Sequence, residues 1–128
     1  MRRFLILAVL LASLAATGCQ RQIVDGRPPM EYVQADATFR ATMESLIVVR
    51  EQGKISDAKW AEISEWAVLA DALLDRWHLA IVVKATLPPD ATATDTLRAQ
   101  DAILSASRAA MAYVGHVQRE ATRLETEP

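Results

Sequence analysis

Two carboxylates and one imidazole lie at helical spacing near the middle of the chain. Asp71, Asp75 and His78 are separated by four and three residues, so on a helix they share one strip of the surface. Carboxylate and imidazole groups can ligate a divalent metal, which makes these three the candidate metal ligands. No second group of ligands with matching spacing occurs elsewhere in the sequence. A solvated helix face is therefore the favoured interpretation, and no metal or cofactor is expected.

Three tryptophans lie around this strip, at positions 60, 66 and 77. Exposed indole rings would offer a stacking platform for a sugar or a nucleobase. Trp66 and Trp77, however, fall on the apolar arc of a helical projection, so these two are expected to fill a core. Trp60 falls at the margin of the arc and is the candidate for an exposed aromatic contact.

Motifs for catalysis are not found in this sequence. His116 lies one turn before Glu120, which indicates an ordinary pair on a helix surface. Ser105 and Ser107 lie in a helical segment without the context of a nucleophile elbow. The sequence has no HExxH segment and no glycine-rich phosphate loop, and a slim helical bundle offers little cleft for a substrate. We do not expect an enzyme.

The Asp71 strip belongs to a helix predicted over residues 56–86, around which the rest of the chain is organised. Ser56 can accept a hydrogen bond as an N-cap, and Ile55 and Trp60 have the spacing of a hydrophobic staple. Two prolines at 88 and 89 stop the helix, because proline lacks the N–H and restricts its predecessor. The apolar arc is wide enough to contact two neighbours, and it comprises Ile63, Trp66, Ala67, Leu69, Ala70, Leu73, Leu74, Trp77, Ala80 and Ile81.

A second helix is predicted over residues 30–52. Its apolar side comprises Tyr32, Ala35, Phe39, Met43, Leu46, Ile47 and Val49. Gly53 can end this helix in the left-handed conformation, and only Gly53 to Ile55 separate it from the Ser56 cap. So short a connection predicts that these two helices are antiparallel neighbours.

A third helix is predicted over residues 92–124. Its start is either Thr92 together with Asp95, or Thr94 alone. One face, rich in alanines that permit close helix approach, comprises Ile103, Leu104, Ala106, Ser107, Ala110, Met111, Tyr113, Val114, Val117, Ala121 and Leu124. The predicted fold is therefore all-α, an up-down-up bundle of three amphipathic helices. Whether this helix packs on the central one or engages a partner stays open at this point.

Length and charge bound the class of protein. The chain has 128 residues and is 52% hydrophobic, which suits one domain that buries roughly two thirds of its unfolded surface. Its formal net charge is −2. Without Arg2 and Arg3, 12 basic residues (14 less two) stand against 16 acidic ones, a net charge of −4. No basic stripe emerges, so nucleic acid is not an expected partner.

The amino terminus has the layout of a secretory signal. Arg2 and Arg3 form a positive region, and an uncharged apolar run follows from Phe4 to Ala16. This run is shorter than the roughly 20 residues that a membrane-spanning helix needs. The segment is therefore predicted to direct export and to lie outside the fold.

The segment Ala16-Thr17-Gly18-Cys19 resembles the lipobox of bacterial lipoproteins. The resemblance covers the first nineteen residues, and it implies a signal peptide of residues 1–18 and lipidation of the Cys19 thiol by acyl chains such as palmitate. The third residue before the cysteine is usually leucine in that family, and it is Ala16 here. Gln20 follows the cysteine where aspartate commonly signals retention at the inner membrane, which implies the outer membrane and its periplasmic face.

Cys19 is the only cysteine in the chain, so it cannot form an internal disulfide. A buried thiol and an intermolecular disulfide are the alternatives to lipidation, and the position directly after a leader favours lipid. Residues 19–29 are the predicted lipidated tether, since a glycine and two prolines mark a linker. The ten residues 20–29, which follow Cys19, reach at most about 35 Å, so the helical domain of residues 30–128 stays near its membrane.

These observations predict a membrane-anchored envelope lipoprotein that acts as a non-catalytic interaction or structural module. Its partners are expected to be the membrane, through lipidated Cys19, and a protein or a second copy of the chain, through a helix face. One alternative is a module that binds a small ligand or a metal, through the Asp71 strip or Trp60. Another is an envelope lipoprotein encoded by a phage or prophage and acting in lysis or exclusion, which the small size and alanine-rich composition suggest.

Overall fold

The computed structural model describes residues 29–127, and these form three helices without a strand. Helix α1 is Met30–Glu51, α2 is Asp57–Ala85 and α3 is Ala93–Thr126. The predicted all-α bundle of three helices is confirmed, with each helix end within two residues of its predicted position. The predicted signal peptide, Cys19 and the tether up to residue 28 lie outside the described residues.

The turn between α1 and α2 is built as its sequence predicts. Gly53 adopts the left-handed conformation with φ of 73°. Its N–H donates to the Arg50 carbonyl over 2.8 Å, and the Lys54 N–H donates to the Val49 carbonyl over 3.2 Å, which together form a Schellman motif. The Ser56 hydroxyl then accepts a hydrogen bond from the Lys59 N–H over 3.2 Å. The predicted C-terminal glycine and N-cap are both confirmed.

The connection between α2 and α3 combines a proline stop with a capping box. Helix α2 ends at Ala85, before the two prolines. The Asp95 N–H donates to the Thr92 hydroxyl over 3.1 Å, and the Thr92 N–H donates to the Asp95 carboxylate over 3.0 Å. Two orphan donors are satisfied reciprocally in this way. The structure thus selects Thr92 with Asp95 over Thr94 as the start of α3.

The core consists of two clusters stacked along the bundle, and each receives side chains from all three helices. The central cluster comprises Tyr32, Phe39, Ala67, Ala70, Leu74, Trp77, Ala106, Ala110 and Val114. The second cluster, on the side of the α1–α2 turn, comprises Leu46, Val49, Ile55, Ile63, Val117, Ala121 and Leu124. Ile55 is buried in the turn itself, and Trp60 packs against the same cluster, as the predicted hydrophobic staple requires.

Helices α2 and α3 share the most extensive contact in the bundle, while α1 packs mainly on α3 and less on α2. Ala70 and Ala110 are fully buried in the central cluster, and such small side chains let two helix backbones come close. Helix α3 therefore packs on α2, which answers the question that its sequence left open. Helix α2 contacts both of its neighbours, as its wide apolar arc predicts.

Several apolar residues predicted on core-facing sides are exposed instead. They are Ile47 on α1, Leu69 on α2, and Leu104, Met111 and Tyr113 on α3. Periodicity identifies the apolar side of a helix, but neighbouring helices cover only the part of that side that they touch. Conversely, Asp36 and Thr42 are buried although they are polar. Asp36 pairs with Arg40 over 3.2 Å, and the Thr42 hydroxyl donates to the Thr38 carbonyl over 2.8 Å.

Candidate functional site

The candidate metal ligands on α2 have different surroundings. Asp71 and Asp75 are exposed, whereas His78 is half-buried. The His78 ring stacks on Tyr32 of α1 with a centroid distance of 5.5 Å and an interplanar angle of 26°. Its Nε2 atom is buried and has no hydrogen-bond partner among residues 29–127. The imidazole is therefore packed against α1, and it does not lie on a solvated face as the sequence predicts.

A metal site requires several ligands that converge on one point. Within residues 29–127, no group of three or more His, Cys, Asp and Glu side chains is arranged to hold a metal ion. Asp71, Asp75 and His78 share a strip of α2, but the structure does not bring them together with a further ligand. The arrangement offers two solvated carboxylates beside a packed imidazole.

The three tryptophans are all in contact with other side chains. Trp77 is 2% exposed and meets the edge of Tyr32 at 5.3 Å, so it fills the core as predicted. Trp66 is half-buried and packs against His116 with ring centroids 4.1 Å apart. Trp60 is also half-buried, and the Arg50 guanidinium lies 4.8 Å from its ring centroid. The ring predicted as an exposed contact is thus partly covered by a cation.

Glu120 is not one member of a surface pair with His116, which corrects the prediction for these two residues. The Glu120 carboxylate accepts from Lys59 of α2 over 2.8 Å and from Arg123 over 3.1 Å. These two cations lower its pKa from 4.5 to about 2, the bond from Arg123 being the larger cause. His116 of α3 instead packs on Trp66 of α2, in the contact between these two helices.

The outward sides of α2 and α3 carry exposed apolar side chains. We define the α2 stripe as Val68, Leu79 and Val83, and the α3 stripe as Leu97, Leu104 and Met111, all of them exposed. On a helix, each set falls within a narrow angular range, which lies opposite the buried residues on α2 and about 130° from them on α3. Exposed apolar patches on a soluble domain mark contacts with proteins or membranes. These stripes are the candidate functional surfaces of the described chain.

The sequence contains a signal for the α3 stripe, although helical spacing places Leu104 and Met111 on the predicted core-facing side. Leu97, Leu104 and Met111 are spaced by seven residues, and a heptad repeat marks one narrow seam of a helix. The buried residues of α3 fall on its other side, at Ala99, Ala106, Ala110, Val114 and Val117. Two seams could therefore have been read from one helix, an alanine-rich inner one and a leucine-rich outer one.

Residues 29–127 include no helix with the length and apolar character needed to cross a membrane. Comparison of the chain with family models, with curated proteins and with solved structures finds no match. The candidate surfaces are therefore interpreted from this chain's own residues.

Proposed function

We propose that this protein is a lipid-anchored component of a bacterial envelope whose helical bundle acts as a non-catalytic interaction module. The observation that carries this proposal is the pair of exposed apolar stripes on the outward sides of α2 and α3. The stripes are surfaces on which a protein partner can pack.

The anchor in this proposal is Cys19, in a segment that resembles a lipobox. Each methylene that enters the bilayer contributes about 0.8 kcal/mol, so two or three acyl chains hold a protein on a membrane durably. Gln20 after the cysteine favours the outer membrane, on its periplasmic face. The tether keeps the bundle close to the surface, where its stripes meet partners in the same compartment.

The bundle supplies rigid surfaces for such contacts. Lys59 and Glu120 link α2 to α3 across the close-packed contact between these helices. Ser45 of α1 donates to Glu125 near the end of α3. Because each stripe lies on a single helix, its residues keep a constant arrangement, and a preorganised surface loses little conformational entropy on binding.

Membrane fractionation tests the anchor. The full chain is expressed with its own leader in a bacterium, and the wild type is compared with Cys19→Ala. We expect the wild type in the outer-membrane fraction and a loss of the processed form in the variant. A wild-type chain that is recovered unprocessed in the soluble fraction would contradict the proposal.

A further inference from the structure

The α3 stripe has a sequence that suits pairing with itself. Leu97, Leu104 and Met111 are 64%, 44% and 54% exposed, and Leu104 lies midway between the other two. Seven residues fall only about 20° short of two turns, so the three side chains follow a nearly straight line about 21 Å long. If a second copy lies antiparallel with its Leu104 opposite this one, Leu97 of each copy meets Met111 of the other.

Two charges flank the stripe on the same side. Asp101 and Arg108 are exposed, and each lies four residues after a leucine of the stripe, hence on one shoulder of it. Within residues 29–127 neither of them takes part in an ion pair. Both charges are therefore available to a partner that packs on the stripe.

We infer that the α3 stripe binds the same stripe of a second copy in antiparallel orientation. About the midpoint at Leu104, Asp101 of each copy lies opposite Arg108 of the other, which gives two ion pairs related by the two-fold axis. In a parallel pair the two-fold axis runs along the helices and puts the charged shoulders of the two copies on opposite sides of the contact, so neither ion pair forms. The ion pairs thus favour the antiparallel orientation.

The α2 stripe does not support the same pairing. An antiparallel contact that joins Val68 to Val83 of a second copy is centred between Asp75 and Arg76. These two residues are 100° apart on the helix and flank the stripe on opposite sides. The contact would therefore set Asp75 beside Asp75 and Arg76 beside Arg76. Like charges oppose this dimer, which makes the α2 stripe a suitable internal control.

The position of the anchor allows two copies on one membrane to pair through the α3 stripe. This part of the inference rests on the proposed function. Tyr32, at the start of α1, lies in the central cluster, to which α3 contributes Ala106, Ala110 and Val114. These three residues lie about 3 to 15 Å along the axis from Leu104. Each chain therefore enters its bundle beside the middle of α3 and not at one of its ends. Three side chains per copy make a contact smaller than a standard interface, and anchoring raises the effective concentration that populates it.

Disulfide formation between single introduced cysteines tests the pairing. The full chain carrying Cys19→Ser is purified in detergent and oxidised, with either Leu104→Cys or the control Leu79→Cys, an exposed leucine of the α2 stripe. Both variants keep the same leader and undergo the same random collisions. The ratio of their cross-linking rates therefore reports the contact alone. We expect Leu104→Cys to cross-link about tenfold faster, since pairing raises the local thiol concentration. Equal rates would overturn the inference.

Two further arms test the orientation. Leu97→Cys alone is expected to cross-link slowly, because Leu97 and its symmetry mate lie about 21 Å apart in the antiparallel pair along a common axis. A mixture of Leu97→Cys and Met111→Cys chains of different mass is expected to cross-link rapidly. Fast cross-linking of Leu97→Cys with itself would overturn the antiparallel arrangement.

Exchanging the two charges distinguishes the contribution of the ion pairs from that of apolar packing. In the Leu104→Cys chain, Asp101→Arg is expected to slow cross-linking several-fold, and adding Arg108→Asp is expected to restore it. An exchange that fails to restore the rate, with helicity unchanged by circular dichroism, would overturn the proposed pairs.

Lipidation is measured separately on the wild type by intact mass. Failure of the anchor and failure of the pairing are therefore distinguishable.

Discussion

At the scale of single residues, the clearest electrostatic feature is Glu120. Its carboxylate is 15% exposed and lies between a lysine of α2 and an arginine one turn away on its own helix. Because both partners donate to the ionised form, they hold its pKa near 2. Lys59 in turn has its pKa raised, chiefly by its hydrogen bond to Glu120. This pair connects the two helices that share the largest contact.

Glu120→Gln is expected to lower the free energy of unfolding by about 1 kcal/mol at pH 7, as for an ion pair within a small network. Since the folded pKa lies below the unfolded one, the contribution is complete above pH 4.5 and is lost as the pH falls towards 2. The wild type and the variant should therefore converge in stability over that window. Urea unfolding at several pH values measures the difference.

Glu62→Gln is the matched control for this prediction. Glu62 also contacts Lys59, over 3.0 Å, but its side chain is 47% exposed. Solvent screening reduces the value of such a pair, so the control should change stability less than Glu120→Gln. A larger effect at Glu62, or a Glu120→Gln difference that persists at pH 2, would contradict the assignment.

At the scale of the elements, local sequence determines where each helix begins and ends. A Schellman motif at Gly53, an N-cap at Ser56 and a capping box at Thr92 satisfy backbone groups that the helices leave unpaired. The Thr92 hydrogen bonds also lower the pKa of Asp95. The two turns are thus short and have fixed hydrogen bonds. Because they are short, successive helices pack antiparallel.

Gly53→Ala and Gly115→Ala are expected to change stability in opposite directions. Gly53 has a positive φ of 73°, with open space around an added Cβ, so alanine there costs about 1 kcal/mol of backbone strain alone. Gly115 lies inside α3, where an added Cβ meets only the mobile end of Arg119 at 3.4 Å. Alanine should stabilise that site by about 0.5–1 kcal/mol. Thermal unfolding of both variants gives the comparison, and a destabilised Gly115→Ala would contradict this account.

The elements are also where prediction from sequence succeeds. Helix ends, the glycine at the first turn and the caps follow from local chemistry, and the structure confirms them. The division of each helix between buried and exposed residues is harder, because it depends on how far neighbouring helices extend around it. Helical spacing predicts Leu104 and Met111 on the core-facing side of α3, and both are exposed.

The candidate site was predictable only in part. The Asp71 strip was identified on α2, but the contact between His78 and Tyr32 joins residues far apart in sequence, and periodicity within one helix does not reveal it. The same holds for Glu120, whose partner Lys59 lies on another helix. The heptad spacing of the α3 stripe is local, and it could have been recognised.

At the scale of the whole molecule, the bundle packs the buried alanines of α3 against larger side chains of α1 and α2, and it carries exposed apolar stripes on two helices. Helix α1 has 22 residues, against 29 in α2 and 34 in α3, so it covers only part of their length. The outward stripes remain free of any other described element. A surface of this kind is useful when an anchor concentrates the protein, which is why the proposed function joins the lipid to the bundle.

Lipidation at Cys19 underlies the proposed function, and the intact mass of the wild-type protein made with its own leader tests it most directly. We expect a chain that begins at Cys19 and carries the added mass of its acyl chains, with neither change in Cys19→Ala. A wild-type chain that retains residues 1–18 and an unmodified thiol would contradict it.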